Sequence, residues 1–118
     1  MSPNRSRRHQ VIARALLTAC AALLIIAAAS AATYKPRIHT VALRGMKNVP
    51  ATLVVRAGDT VVWKNEDVVP HTATDRGKAF DSGNIEPGGS WSYVADRKGT
   101  FFYYCAYHPN TRGRLVVR

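Results

Sequence analysis

The chain has 118 residues, with 17 Lys and Arg against 7 Asp and Glu and a formal net charge of +10. That length supports one small domain, which leaves little room for a deep substrate pocket. The basic residues are scattered along the chain rather than gathered in one run, which argues against nucleic acid as the partner.

In chain order, residues 1–14 carry Arg5, Arg7, Arg8 and Arg14 and no acid. Residues 15–32 carry no charge and are nearly all Ala, Leu and Ile. A basic stretch, an apolar core and small residues near Ala29-Ser30-Ala31 read as a secretory signal, with cleavage expected between Ala29 and Thr33. An uncharged run of this length also reaches what an uncleaved membrane-anchor helix needs. Leu17-Thr18-Ala19-Cys20 resembles a lipoprotein box and Ser6-Arg7-Arg8 a twin-arginine pair, both as poorer matches. Every version carries the remainder of the chain out of the cytoplasm. The expected location is periplasmic or otherwise exported, with a membrane tether if residues 1–32 are retained.

Residues 33–118 then form the second unit. Four of the positive charges lie in the leader, leaving 13 against 7, or +6. Such a charge favours an acidic partner and steers the encounter in a salt-dependent way. Apolar and polar residues alternate in short runs, which is strand behaviour. The expected strands are Ile38–Leu43, Thr52–Arg56, Thr60–Lys64, His71–Thr74, Ser90–Ala95, Thr100–Tyr104 and Arg114–Val117. Ala57-Gly58-Asp59, at hairpin spacing, Glu86-Pro87-Gly88-Gly89 and Arg97-Lys98-Gly99 supply the turns between them. No stretch after Ala32 carries a helical stripe. The pattern predicts an all-β sandwich or barrel. Trp63, Trp91 and Phe101 are expected in its core, with Tyr104 flanking the cysteine. Met46 is also read as core, and His39 as an ordinary near-surface histidine.

The second unit holds a single cysteine, Cys105, so it has no internal disulfide. A free thiol in an oxidising compartment calls for a use, and metal ligation is one. Cys105-Ala106-Tyr107-His108-Pro109 places a thiol and an imidazole on one short turn, and Pro109 stops the strand from continuing. His71, 34 residues before Cys105, sits in Val69-Pro70-His71-Thr72 where a strand gives way to a loop. Asn65 or Asp67 is a candidate to stabilise that loop. One thiolate and two imidazoles bind both the softer monovalent and the harder divalent state of copper. Structural zinc wants a fourth protein ligand that this set lacks. No nucleophile–base pair is visible, so no enzymatic activity is expected.

Beyond these residues, Gly58-Asp59-Thr60-Val61-Val62-Trp63-Lys64-Asn65, Phe80-Asp81-Ser82-Gly83 and Arg112-Gly113 complete a pattern. From about Ile38 to Arg118 the chain resembles the cupredoxin family, in its small amicyanin-, pseudoazurin- and plastocyanin-like members. The resemblance implies a Greek-key β-sandwich and one copper ion per domain, cycling between Cu+ and Cu2+. It implies an electron carrier that meets larger redox proteins, here with an acidic docking surface, as a monomer. His71, Cys105 and His108 would be the equatorial ligands, and His108 the one that passes the electron. Relatives of this type read Cys-x-x-His-Pro-x-Met, and this chain has Thr111 where they carry the axial methionine. Three outcomes are open: an empty or water-filled axial position, a weak oxygen donor from Thr111, or a copper carrier or buffer without an electron-shuttle role.

Overall fold

A computed structural model describes residues 32–118. The leader, whether signal or anchor helix, lies outside the described residues. Among them no helix is long and apolar enough to cross a membrane.

Residues 35–118 form a compact unit built from eight strands. These are β1 (Ile38–Arg44), β2 (Lys47–Val49), β3 (Thr52–Val55), β4 (Asp59–Asn65), β5 (Thr74–Asp75), β6 (Ser90–Ala95), β7 (Gly99–Tyr104) and β8 (Arg112–Val117). They make two four-stranded sheets, ordered β2-β1-β4-β6 and β3-β8-β7-β5. The all-β sandwich is as expected. Both sheets are mixed, since β1 runs parallel to β4 and β3 parallel to β8.

Alternation decides which side chains meet between the sheets. Asp59, Val61, Trp63 and Asn65 are the buried positions of β4, every second residue. Val41 and Leu43 from β1 join Val61 and Trp63, and Phe101, Tyr103, Leu115 and Val117 close the core from the second sheet. Trp63 is fully buried and touches Phe80, Trp91 and Tyr103, the last edge-on at 5.3 Å between ring centroids. Burial pushes the Tyr103 phenol up to about 12, so it stays protonated.

Gly113 on β8 lies directly opposite Tyr103 on β7. A Cβ at Gly113 would clash with Tyr103, only 2.2 Å from its Cζ. The absent side chain is therefore what lets that ring lie down across the strand. Gly113→Ala should cost about 1–3 kcal/mol by overpacking, read as a lowered denaturation midpoint. An unchanged midpoint would show that the ring has another place to go.

Four expectations need correction. His71–Thr74 is not a strand. Only Thr74–Asp75 pairs with β7, while His71 makes an isolated bridge to Ile85. Ala57-Gly58-Asp59 does not close a hairpin, because β3 and β4 lie in different sheets. The chain crosses the sandwich there, with Gly58 at φ +99°, and Arg97-Lys98-Gly99 makes a second crossing, from β6 to β7. Met46 is not core. It is 40 % exposed, in the turn between β1 and β2, with a left-handed backbone at φ +61°. His39 is more than a surface histidine, since its Nε2 lies 2.9 Å from a carboxylate oxygen of the buried Asp59.

Candidate metal centre

Two segments meet at one end of the sandwich. The first leaves β4 at Asn65. The Asn65 side chain is fully buried. Its amide donates to the carbonyls of Val69 and Ile85 at 2.8 and 2.9 Å, and its oxygen accepts from the Asp67 N–H at 2.9 Å. One asparagine therefore shapes the whole turn that delivers His71. The bridge to Ile85, with bonds of 3.1 and 2.7 Å, fixes the His71 backbone.

The His71 ring is buried and makes one polar contact, Nε2 to Asp67 Oδ2 at 2.8 Å. Burial alone would raise the Asp67 carboxyl. Hydrogen bonds from the Met46 N–H, the His71 ring and the Gly45 N–H win and hold it below the usual carboxylate range. An ionised carboxylate only accepts, so Nε2 carries the proton and Nδ1 presents a lone pair. That Nδ1 is buried without a hydrogen-bond partner. Buried polar atoms are rarely left so, and an imidazole lone pair in this state suits a metal. Asn65 and Asp67 thus both hold the loop, and Asp67 also sets the ring tautomer.

The second segment is the turn from β7 to β8. Cys105 N–H donates to the Thr111 carbonyl at 2.9 Å and Thr111 N–H to the His108 carbonyl at 2.8 Å. The Cys105 sulfur is fully buried. It accepts the Thr72 N–H at 3.3 Å, and the Thr72 hydroxyl accepts the Ala106 N–H at 2.8 Å. Thr72 therefore clamps both segments together. Sequence reasoning missed it, and only its place beside His71 marks it out.

Burial disfavours the Cys105 thiolate, but the Thr72 N–H, the adjacent His71 imidazole and the Tyr107 and His108 N–H groups outweigh it, bringing the pKa from 9.0 to about 6. A depressed acid stabilises the fold above its unfolded pKa. That contribution is lost as pH falls from about 9 to about 6. Metal binding needs the thiolate, so affinity should hold down to about pH 6 and drop below it. A competitive metal titration across that range checks the break, and an affinity still level well below it would refute the thiolate's readiness.

Donor atoms of His71, Cys105 and His108 all lie within 4.8 Å of one another. The His108 Nδ1 sits 3.7 Å from the sulfur. His71 is buried and His108 half-buried, so one imidazole is sealed inside while the other reaches the surface. Around His108 a shallow pocket of about 310 Å³ is bounded by Met46, Pro109, Asn110 and Thr111. Thr111 is buried beside the turn, and its hydroxyl donates to the Met46 carbonyl at 2.9 Å. The Gly45 and Met46 N–H groups donate to Asp67 at 2.7 and 2.9 Å. The β1–β2 turn thus touches the partner of His71 on one side and Thr111 on the other.

The donor set, with its orphaned Nδ1, fits a copper ion. A family model for the Cupredoxin-like domain matches residues 15–117. The chain belongs to the cupredoxin family. Amicyanin from Paracoccus denitrificans is 35 % identical over 77 residues, covering 61 % of this chain and 59 % of that protein. Amicyanin from Paracoccus versutus is 29 % identical over 82 residues, covering 65 % and 62 %. This cupredoxin thus spans about three fifths of the length of the curated amicyanins it matches. Plastocyanin from Pisum sativum is 29 % identical and covers 87 % of this chain and 72 % of its own. Among solved structures, an oxidised amicyanin variant superposes with a TM-score of 0.65 at 30 % identity, covering 69 % of this chain and 82 % of that one. A purple cupredoxin from Nitrosopumilus maritimus gives 0.62 at 26 %, covering 68 % and 99 %.

Proposed function

We propose that this cupredoxin is an exported electron carrier holding one copper ion through His71 Nδ1, Cys105 Sγ and His108 Nδ1. The observation that carries the reading is the buried, unpartnered His71 Nδ1 in one cluster with a thiol of depressed pKa and a second imidazole. Copper supplies a single-electron change between its monovalent and divalent states. The chain's own part is to stay still. His71 is held by Asp67 and by the bridge to Ile85. Cys105 is held by Thr72 and Thr111. Fixed donors shielded from water keep the rearrangement between the two states small. His108 is the half-buried ligand, and the exposed Tyr107, Pro109 and Asn110 beside it offer a contact surface at that end. The leader directs the domain out of the cytoplasm. No substrate chemistry is assigned to the chain.

The deciding experiment is a visible spectrum of the purified protein after adding divalent copper and then ascorbate. An intense thiolate charge-transfer band that bleaches on reduction supports the carrier. A folded protein without such a band would sink the reading and leave monovalent copper handling as the function.

Thr111 stands where relatives of this type carry methionine, with its hydroxyl proton given to Met46. Thr111 would stand on the side of a bound ion where those relatives place their weak extra ligand. Thr111→Met should then shift both the charge-transfer band and the reduction potential, because axial ligands tune both. An unchanged spectrum and potential would place residue 111 off the axis.

A further inference from the structure

Three guanidinium groups face one cavity that the metal site does not use. The cavity, of about 570 Å³, opens beside β7 where its partner β5 stops at Asp75. Arg76, Arg97 and Arg112 line it, with the exposed Phe102 on its wall. A second hollow of about 340 Å³ shares Asp75 and Arg76 with it and adds Lys78, Tyr104 and Asp81. The two make a continuous groove along the edge of the second sheet. It presents four cations against two carboxylates.

Both carboxylates are engaged by the chain itself. Asp75 is buried and accepts the Ala79 N–H at 2.9 Å. Asp81 accepts the Thr74 hydroxyl at 3.1 Å and the Gly83 N–H at 3.0 Å. Among the described residues none of the four cations forms an ion pair. Two are held by rings instead. Arg76 lies over Tyr104 at 4.9 Å and Arg97 over Phe101 at 6.0 Å. Arg112 stands directly across the strand pair from Tyr104. Cations fixed in this way lose little freedom when they meet a carboxylate.

We infer that this groove docks an acidic segment of the protein that exchanges electrons with the copper centre, an identity that rests on the carrier reading above. Four cations spread through two joined hollows exceed what one small anion pairs with, and suit successive carboxylates on a chain. Exposed Phe102 gives the apolar contact that fixes the pose. Tyr104, in the groove, immediately precedes Cys105, so a docked segment lies one residue from the sulfur ligand. The +6 charge of residues 33–118 brings an acidic partner to this side in a salt-dependent way.

The test uses the full chain loaded with Cu(I), labelled with nitrogen-15 and titrated at low salt with a hexaglutamate peptide. Saturable amide shifts are expected at Gly77, Thr100, Phe102 and Gly113. Arg97→Ala combined with Arg112→Ala should weaken the peptide about tenfold, the scale of two exposed ion pairs. Lys47→Ala combined with Lys64→Ala, on the other sheet, should leave binding unchanged. Shifts centred on His108, or spread over Lys47 and Lys64, would overturn the groove. So would an oligonucleotide or a phosphatidylglycerol vesicle that displaces the peptide at equal charge concentration. The visible band of the same protein, oxidised, reads the metal separately. Its absence with the groove shifts intact would remove the redox identity of the partner and leave the acidic-segment site standing.

Discussion

Cys105→Ser will abolish the visible charge-transfer band and leave the sandwich folded. The sulfur is the one soft donor in the cluster, and a serine hydroxyl stays protonated and hard at neutral pH. Its neighbours have little reason to move. The Thr72 N–H that points at the sulfur finds an oxygen acceptor in its place, so the structural cost should be about 1 kcal/mol. The band should vanish altogether rather than weaken. The variant should also lose the stability change that the depressed Cys105 pKa predicts for the metal-free parent between pH about 9 and about 6. Spectra and denaturation curves at two pH values read both effects. A surviving band would mean that another donor supplies the colour, and the assignment of Cys105 would fall.

Asp67→Ala should weaken copper binding by 10- to 100-fold, roughly what partners of metal-bound histidines contribute. The carboxylate does two jobs. It accepts His71 Nε2–H at 2.8 Å, which leaves Nδ1 free for the metal. It also accepts the Gly45 and Met46 N–H groups, which ties down the β1–β2 turn. Alanine would free the ring to turn and to change tautomer while stranding two backbone donors, at about 1–3 kcal/mol. Asp67→Asn should sit between the two, because its amide oxygen still accepts one bond. Competition with a chelator measures affinity and thermal melts measure stability. Equal copper affinity in parent and alanine variant would show that packing alone orients His71.

The candidate donor cluster was legible because its signal is local. Cys105 and His108 share one short turn, and a single cysteine among residues 33–118 narrows its own uses. Trp63 and Phe101 were legible as core because alternation marks the inward positions of β4 and β7. The rest depends on residues distant in sequence. Lys47–Val49 was missed as a strand because three residues with charged and polar members show no alternation worth reading. Met46 looked like core because an isolated methionine is apolar, and nothing local says that it sits in a left-handed turn. Ala57-Gly58-Asp59 has the spacing of a hairpin, but spacing does not tell a turn within a sheet from a step between sheets. The bond from His71 Nε2–H to Asp67 is at helical spacing within a loop, so it emerges only once Asn65 has folded the chain back. Arg76, Arg97 and Arg112 come from three separate places and meet only because β5 ends after two residues.

The parallel pairing of β3 with β8 has a kinetic consequence. Thr52 is paired with Arg114, so the second sheet cannot close until residues some 60 positions apart have met. Contacts of such long sequence separation place a β-sandwich among slow folders, in the millisecond-to-second range. The Cys105–His108 turn can form early, as a property of the β7–β8 hairpin alone, whereas His71 arrives only with the complete sandwich. A metal ion present during folding would therefore meet a bidentate half-site first, and the third ligand would close behind it.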